Sequence, residues 1–295
     1  MTGVRLRLLW YPQAQFAGWL LAERYGVGLV CEGPDVAVPP VEAVLRGDAE
    51  ACIASPSHLL ESRDPAALRF VLTIQQASPL AYPVRRSDGI ASARDLAGRR
   101  VAVWPGGEDL ELRWMLHRAG VDPASVERVP ALDTVALFRR GEVASCQVTT
   151  YHELHALEGQ DIVLLRAADL DAALLKDGLV VRADLPRERV QALVEAGLEG
   201  WNRAFAEPGP AVAICAERRP DMDLEEHRRQ LEGIRTLVAT GATRVHGLGY
   251  PDPLHLERAA RALSDLGEPV RMEPATLHDP SFWHAAPAAL RAPWP

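Results

Sequence analysis

The side chains best suited to chemistry in this 295-residue chain gather where apolar runs end. Trp10-Tyr11 closes the first run and is followed by Gln13 and Gln15. Flat rings stack on planar heterocycles, and amides both give and accept hydrogen bonds along a ring edge. Ser55-Pro56-Ser57 closes a later run, where hydroxyls and backbone N–H groups at a helix start can hold a polar or anionic group. Gln75, Gln76, Ser78 and Tyr82 lie on an extended stretch. Trp104-Pro105-Gly106-Gly107-Glu108 offers a second ring, beside glycines that allow close backbone approach. Thr149 and Tyr151-His152-Glu153 add a carboxylate able to accept from an N–H-rich ring. Each feature also has a plainer reading. Trp10 can pack in a core, Gln13 and Gln15 can be solvated, Ser55 or Ser57 can cap a helix, and Glu153 can bond its own helix.

Catalytic groupings are scarce. There is no Ser-His-Asp order, no pair of carboxylates at useful spacing and no cofactor fingerprint, so no cofactor is expected. Lys176 is the only lysine, so an amine-based mechanism has one candidate and no flanking motif. Cys31, Cys52 and Cys215 sit in apolar runs and read as buried small hydrophobes, which leaves Cys146 as the one candidate thiol nucleophile. His58 reads as a helix-surface residue, and His152-Glu153-Leu154-His155 is not the His-Glu-x-x-His zinc pattern, so no metal is expected. A net charge of -8 argues against a nucleic-acid surface. No stretch approaches the ~18 consecutive apolar residues of a membrane span. No secretory leader precedes the first strand. The chain as written is therefore expected in the cytoplasm, or in the periplasm or at the cell surface if a native leader is missing.

The elements that must position these residues alternate as in an α/β protein. Strands are expected at 4–10, 28–32, 35–38, 50–55 and 68–76, with helices at 16–26, 41–48 and from 57. The unit then restarts: a strand in 92–107, a helix at 108–120, a strand at 125–132, a helix at 133–141, a strand at 143–150, a helix at 151–159 and a strand at 161–169. A returning strand at 178–185 leads into helices at 187–207, 223–239 and 253–267. Two βα blocks joined by extended connections at 76–85 and 176–184 predict two lobes, 1–83 with 181–295 and 84–180. Such folds bind small ligands between lobes, where strand ends and helix starts converge.

The chain also resembles the ABC-transporter substrate-binding proteins for thiamine pyrimidine precursors, riboflavin, aliphatic sulfonates and nitrate. The resemblance rests on Trp10, Pro12 and Gly18; on Leu45-Arg46-Gly47-Asp48-Ala49-Glu50 before Ala54-Ser55-Pro56; and on Gln75-Gln76. It continues through Gly89-Ile90, Asp95-Leu96-Ala97-Gly98-Arg99-Arg100-Val101, Gly141-Glu142-Val143 with Thr149 to Glu153, and Gly200-Trp201 with Pro208 and Ala211. Val143-Ala144 replaces the family's usual Asp-Ala, and the loop after the first helix is shortened to Gly26-Val27-Gly28. The resemblance implies a two-lobed, type 2 periplasmic-binding-protein-like α/β fold, with a ligand cleft between lobes joined by two hinge strands. It also implies a planar N-heterocycle as ligand, such as a thiamine pyrimidine precursor or a flavin, and a transporter permease as partner. The alternatives are a cytosolic enzyme on the same fold and a cytosolic ligand-sensing module. The fungal pyrimidine synthases related to this family use a histidine, a lysine and a cysteine cluster. Here His58 falls near the histidine's place, Ala54 takes the lysine's place, and no cysteine cluster exists. A desulfinase-like enzyme would need Cys146 as nucleophile.

Overall fold

A computed structural model describes residues 3–26, 28–35 and 38–292. Its strands are β1 (Val4–Arg7), β2 (Leu29–Glu32), β3 (Ala51–Ala54), β4 (Leu68–Thr73), β5 (Leu80–Arg85), β6 (Arg100–Val103), β7 (Glu127–Pro130), β8 (Ser145–Cys146), β9 (Val148–Thr149), β10 (Ile162–Leu165) and β11 (Gly178–Arg182). The chain divides into two compact units: 1–77 with 175–260 and 270–295, and 78–174 with 261–269.

In the first unit the sheet runs β2-β1-β3-β11-β4. β1 is parallel to β2 and β3, while β11 is antiparallel to both β3 and β4. Gly178 therefore faces Ala54 on one side and Thr73 on the other. The residues just before β11 thus share one sheet edge with those just after β1, β3 and β4. β3 is buried along its whole length, as a strand covered on both faces must be.

Behind this sheet the helix Ala17–Arg24 packs on the long helix Arg187–Ala206 through glycines. A methyl group on Gly200 would lie 2.0 Å from the Gly18 carbonyl oxygen, and one on Gly18 would lie 2.3 Å from the Trp201 ring. The two helix backbones are as close as they are because neither residue has a Cβ.

In the second unit the sheet runs β10-β5-β8-β6-β7, with β9 also on β5. Its core joins Ala81, Ala102, Val135, Phe138, Val143, Cys146, Val148 and Leu157. The segment 261–269 is tied to it by the Trp114 indole N–H, which donates to Asp265 at 2.9 Å, and by an ion pair between Arg113 and Glu268.

Several expected elements differ. The first strand stops at Arg7 rather than residue 10, and Trp10 and Tyr11 stand in the bend that follows. The strand expected at 143–150 breaks at Gln147, whose N–H bonds Ala102 O and whose carbonyl accepts the Thr134 hydroxyl. The helix expected at 151–159 is only a 3-10 segment, Glu153–Leu157, with the Glu153 carboxylate turned back onto Thr149. The chain crosses between units at 77/78 and 174/175, not at 83/84 and 180/181. The cause is pairing: Leu80–Arg85 bonds into the second sheet and Gly178–Arg182 into the first. Of the strand expected at 35–38, Asp35 and Val38 form an isolated bridge, and residues 36 and 37 lie outside the described residues. A helix not anticipated, Pro208–Arg218, follows the long one.

One contact in the first unit makes stability sensitive to acid. The His255 ring bonds the Gln76 side-chain oxygen at 3.1 Å, and burial holds the imidazole down to about 4, with Arg258 lowering it further and Asp252 opposing. Protonation therefore favours the unfolded chain, whose imidazoles titrate near ~6.5. The stability is present above about pH 6.5 and is lost as pH falls through about 4. The urea midpoint is expected to drop between pH 6.5 and 4.5, and the drop should shrink in His255→Gln, which keeps an N–H donor to Gln76.

Candidate functional site

The edge shared by the ends of β1, β3 and β4 carries a buried polar group. Gln13, in the bend after β1, is 2 % exposed, Gln75, two residues past β4, is 1 % exposed, and Asp177, just before β11, is 6 % exposed. Gln15 sits in a 3-10 turn, Ala14–Phe16, that opens the first helix. Its amide Nε2 donates to both Asp177 oxygens, at 3.0 and 3.1 Å. The Gln75 Nε2 donates to Asp177 Oδ2 as well. The Gln13 Nε2 makes a long, 3.4 Å bond to Gln15 Oε1. One carboxylate thus orders three amides, while the side-chain oxygens of Gln13 and Gln75 are buried with no hydrogen-bond partner. The group rests on Phe16, Trp19, Ile53, Leu72, Ile74, Leu179 and Trp201, around a recess with room for about one water molecule.

Other expected residues of this unit take different places. Ser55 begins the helix Pro56–Glu61 without capping it; its hydroxyl reaches Lys176 O at 3.3 Å, on the segment that carries Asp177. Lys176 itself is buried. Ser57 is buried inside that short helix, and His58 is half-buried on it. Gln76 is fully engaged, its Nε2 on Thr73 O and Tyr250 O and its oxygen on His255, so its amide braces the backbone. Trp10 and Tyr11 meet edge to face at 5.5 Å, with the Arg219 guanidinium over the Tyr11 ring.

In the second unit, Trp104 follows β6, and Gly106 and Gly107 are exposed with positive φ, 86° and 84°. The loop is held by Gln147, which is fully buried: its oxygen accepts the Trp104 N–H at 3.1 Å and its Nε2 donates to Glu108 O at 2.8 Å. Glu153 accepts both the N–H and the hydroxyl of Thr149, and Tyr151 is buried. Tyr82 is wholly buried with its hydroxyl unpartnered, and burial, then the Glu111 charge, holds that phenol well above its usual range.

Cys146, the one candidate thiol nucleophile, is core, because β8 is central in its sheet and turns it among Ala102, Phe138 and Val148. All four cysteines are buried and burial pushes each thiol up, Cys215 to about 12. Since the thiolate is the reactive form, none is an activated nucleophile. A thiol reagent at neutral pH is expected to label the native protein far more slowly than the urea-unfolded chain, which should titrate all four. Fast labelling of one cysteine in the native protein would reopen thiol chemistry. Among the described residues no three His, Cys, Asp or Glu side chains gather to hold a metal.

Sequence reasoning missed Asp177 and Gln147. Asp177 was marked only by standing beside the chain's one lysine, just before the returning strand expected at 178–185. Gln147 was marked only by its polarity inside an apolar run.

Known proteins share this architecture. A riboflavin-binding protein of Chloroflexus aurantiacus is 26% identical over 302 residues, covering 94% of this chain and 85% of the relative. A protein from Bordetella bronchiseptica shares the fold at a TM-score of 0.73 and 17% identity, over 96% of each chain. The periplasmic aliphatic sulphonate binding protein of Escherichia coli shares it at 0.66 and 15% identity, over 90% of this chain and 86% of that one. The architecture is thus the α/β fold of periplasmic binding proteins. The family model described as NMT1/THI5 like matches residues 14–211, two-thirds of the chain, and the chain belongs to that family.

Proposed function

We propose that this chain is the ligand-binding component of an ABC-type importer, that it takes a planar N-heterocycle, and that it hands the ligand to a membrane permease. One observation carries the ligand class: the buried Asp177–Gln15–Gln75 group, with Gln13 beside it, at the ligand-bearing strand ends of an α/β sheet. Polar groups buried without partners are uncommon in native proteins, and a ligand's hydrogen-bonding edge would satisfy the two free amide oxygens. Trp10 and Tyr11 follow the same strand as Gln13 and supply rings of the kind that stack on flat heterocycles. The riboflavin-binding relative supports a heterocycle over a small oxyanion.

Binding, not turnover, is the activity expected, since no thiol is activated and no catalytic grouping forms among the described residues. A thermal-shift panel of aminopyrimidines, flavins and alkanesulfonates tests this. The proposal expects at least one N-heterocycle to raise the melting temperature in a concentration-dependent way. It fails if only sulfonates do so, or if nothing does.

A further inference from the structure

Between the 3-10 turn Ala167–Leu170 and β11, residues 172–177 form neither helix nor strand, yet all but Ala173 are buried. This stretch leaves the second unit at 174/175 and brings Lys176 and Asp177 to the first. Buried backbone outside a helix or sheet must find its hydrogen-bond partners elsewhere, often on side chains. Glu111 supplies one such partner. It stands in the first turn of the helix Leu110–Arg118, is fully buried, and its Oε2 accepts the Leu174 N–H at 2.6 Å. A carboxylate is unfavourable to bury unless it is hydrogen-bonded, and a short bond from a backbone N–H is of the strong, charge-assisted kind. The helix is a firm platform for it, since Leu110, Leu112, Trp114, Met115 and Leu116 are all buried. Burial, and after it the Glu111 charge, also holds the Tyr82 phenol above its usual range. Tyr82 lies on β5, the first strand after the other crossing at 77/78.

We infer that Glu111 is a positioning residue for the candidate site: by holding Leu174 it fixes where the chain enters the sheet edge, and so where Asp177 lies. Asp177 is three residues further on, a reach of at most about 11 Å. Within that reach the Ser55 hydroxyl donates to Lys176 O, and the Gln15 and Gln75 amides donate to the Asp177 carboxylate. Side chains thus clamp the stretch at both ends, and the Glu111 clamp belongs to the second unit while the others belong to the first. Without the carboxylate the Leu174 N–H loses a buried acceptor, and local opening of 172–177 requires less free energy. The effect on a ligand rests on the proposed binding function, whereas the hold on Leu174 does not.

Lys176 makes the test site-specific, because it is the only lysine and is itself buried in this stretch. The full chain and its Glu111→Leu and Glu111→Gln variants are acylated with N-hydroxysuccinimidyl acetate at one pH. Peptide mass analysis then follows Lys176 apart from the N-terminal amine. Lys176 is expected to react at least about tenfold faster in Glu111→Leu, at a rate that stays flat in low urea, as local opening does. Glu111→Gln keeps an oxygen for the Leu174 N–H and should return the rate to near that of the unaltered protein. An unchanged rate in Glu111→Leu overturns the inference. So does an equal rise in both variants, or a rise that climbs steeply with urea, since each marks general loosening. In the unaltered protein the Leu174 amide should exchange its hydrogen slowly despite lying outside helix and strand; fast exchange there overturns the inference whether or not the leucine variant folds. The same proteins are melted with riboflavin and with 4-amino-2-methylpyrimidine. A compound that stabilises the unaltered protein should lose most of that effect in Glu111→Leu and keep it in Glu111→Gln; a full effect in Glu111→Leu overturns the role at the site. If neither compound stabilises the unaltered protein, that result counts against the proposed function, and the Lys176 rates still decide whether Glu111 holds the stretch.

Discussion

Replacing Asp177 by alanine is expected to cost both stability and ligand binding, more than any other single change at the candidate site. The carboxylate is the common acceptor for Gln15 and Gln75, residues 162 and 102 positions away along the chain. Without it, two buried amide donors lose their partner together, and a buried donor left unsatisfied costs about 1–3 kcal/mol. The sum is of order 2–5 kcal/mol, reduced to the extent that water enters the recess below the group. The urea midpoint should fall with an unchanged m-value, which is the signature of lost stability rather than a changed denatured state. Affinity for the bound heterocycle should fall by about 100-fold or more, because the recognising oxygens are no longer held. Unaltered binding in the alanine variant would show that the amide group is internal bracing.

Gly200→Val is expected to be the most destabilising change outside the site. A Cβ there sits 2.0 Å from the Gly18 carbonyl oxygen and 2.9 Å from its carbon, both backbone atoms that cannot swing aside. The helices Ala17–Arg24 and Arg187–Ala206 must separate, and overpacking of this kind costs about 1–3 kcal/mol or more. Part of that is offset because glycine is a poor helix residue, but only by about 1 kcal/mol. Gly209→Ala is the matched control: it lies in the helix Pro208–Arg218 with nothing near its missing Cβ, so it should be neutral or slightly stabilising. Parallel melting curves of the two variants check this, and equal melting temperatures would contradict the close-packed helix pair.

The sequence showed the alternation of strands and helices well, because its apolar runs are short and several end at turn residues, as at Pro12, Ser55 and Pro105. Gly18 was visible as a landmark, though not that its role is to admit the backbone of the helix carrying Gly200. The helix Pro208–Arg218 was hidden by Pro208, Gly209 and Pro210, residue types that disfavour a helix interior but here occupy a first turn, where the missing N–H of proline costs nothing. The place of residues 261–269 in the second unit depends on Asp265 meeting Trp114 and Glu268 meeting Arg113, pairings some 150 positions apart that no local pattern announces.

The site was legible in the same uneven way. Gln13, Gln15 and Gln75 were legible as amides at strand ends, since α/β proteins gather function there. Asp177 was not, because it precedes an antiparallel strand: its position at that edge follows from β11 pairing between β3 and β4, a register fixed only in three dimensions. The same applies to Glu153, whose carboxylate was legible but whose engagement with Thr149 was not.

The most direct test of the whole account is equilibrium dialysis of the protein against the heterocycle that most raises its melting temperature, followed by recovery and mass analysis of the bound compound. Saturation at one molecule per chain, with the compound recovered unchanged, is the predicted result. Failure to saturate, or recovery of a converted product, would contradict the reading of this protein as a carrier of an intact small molecule.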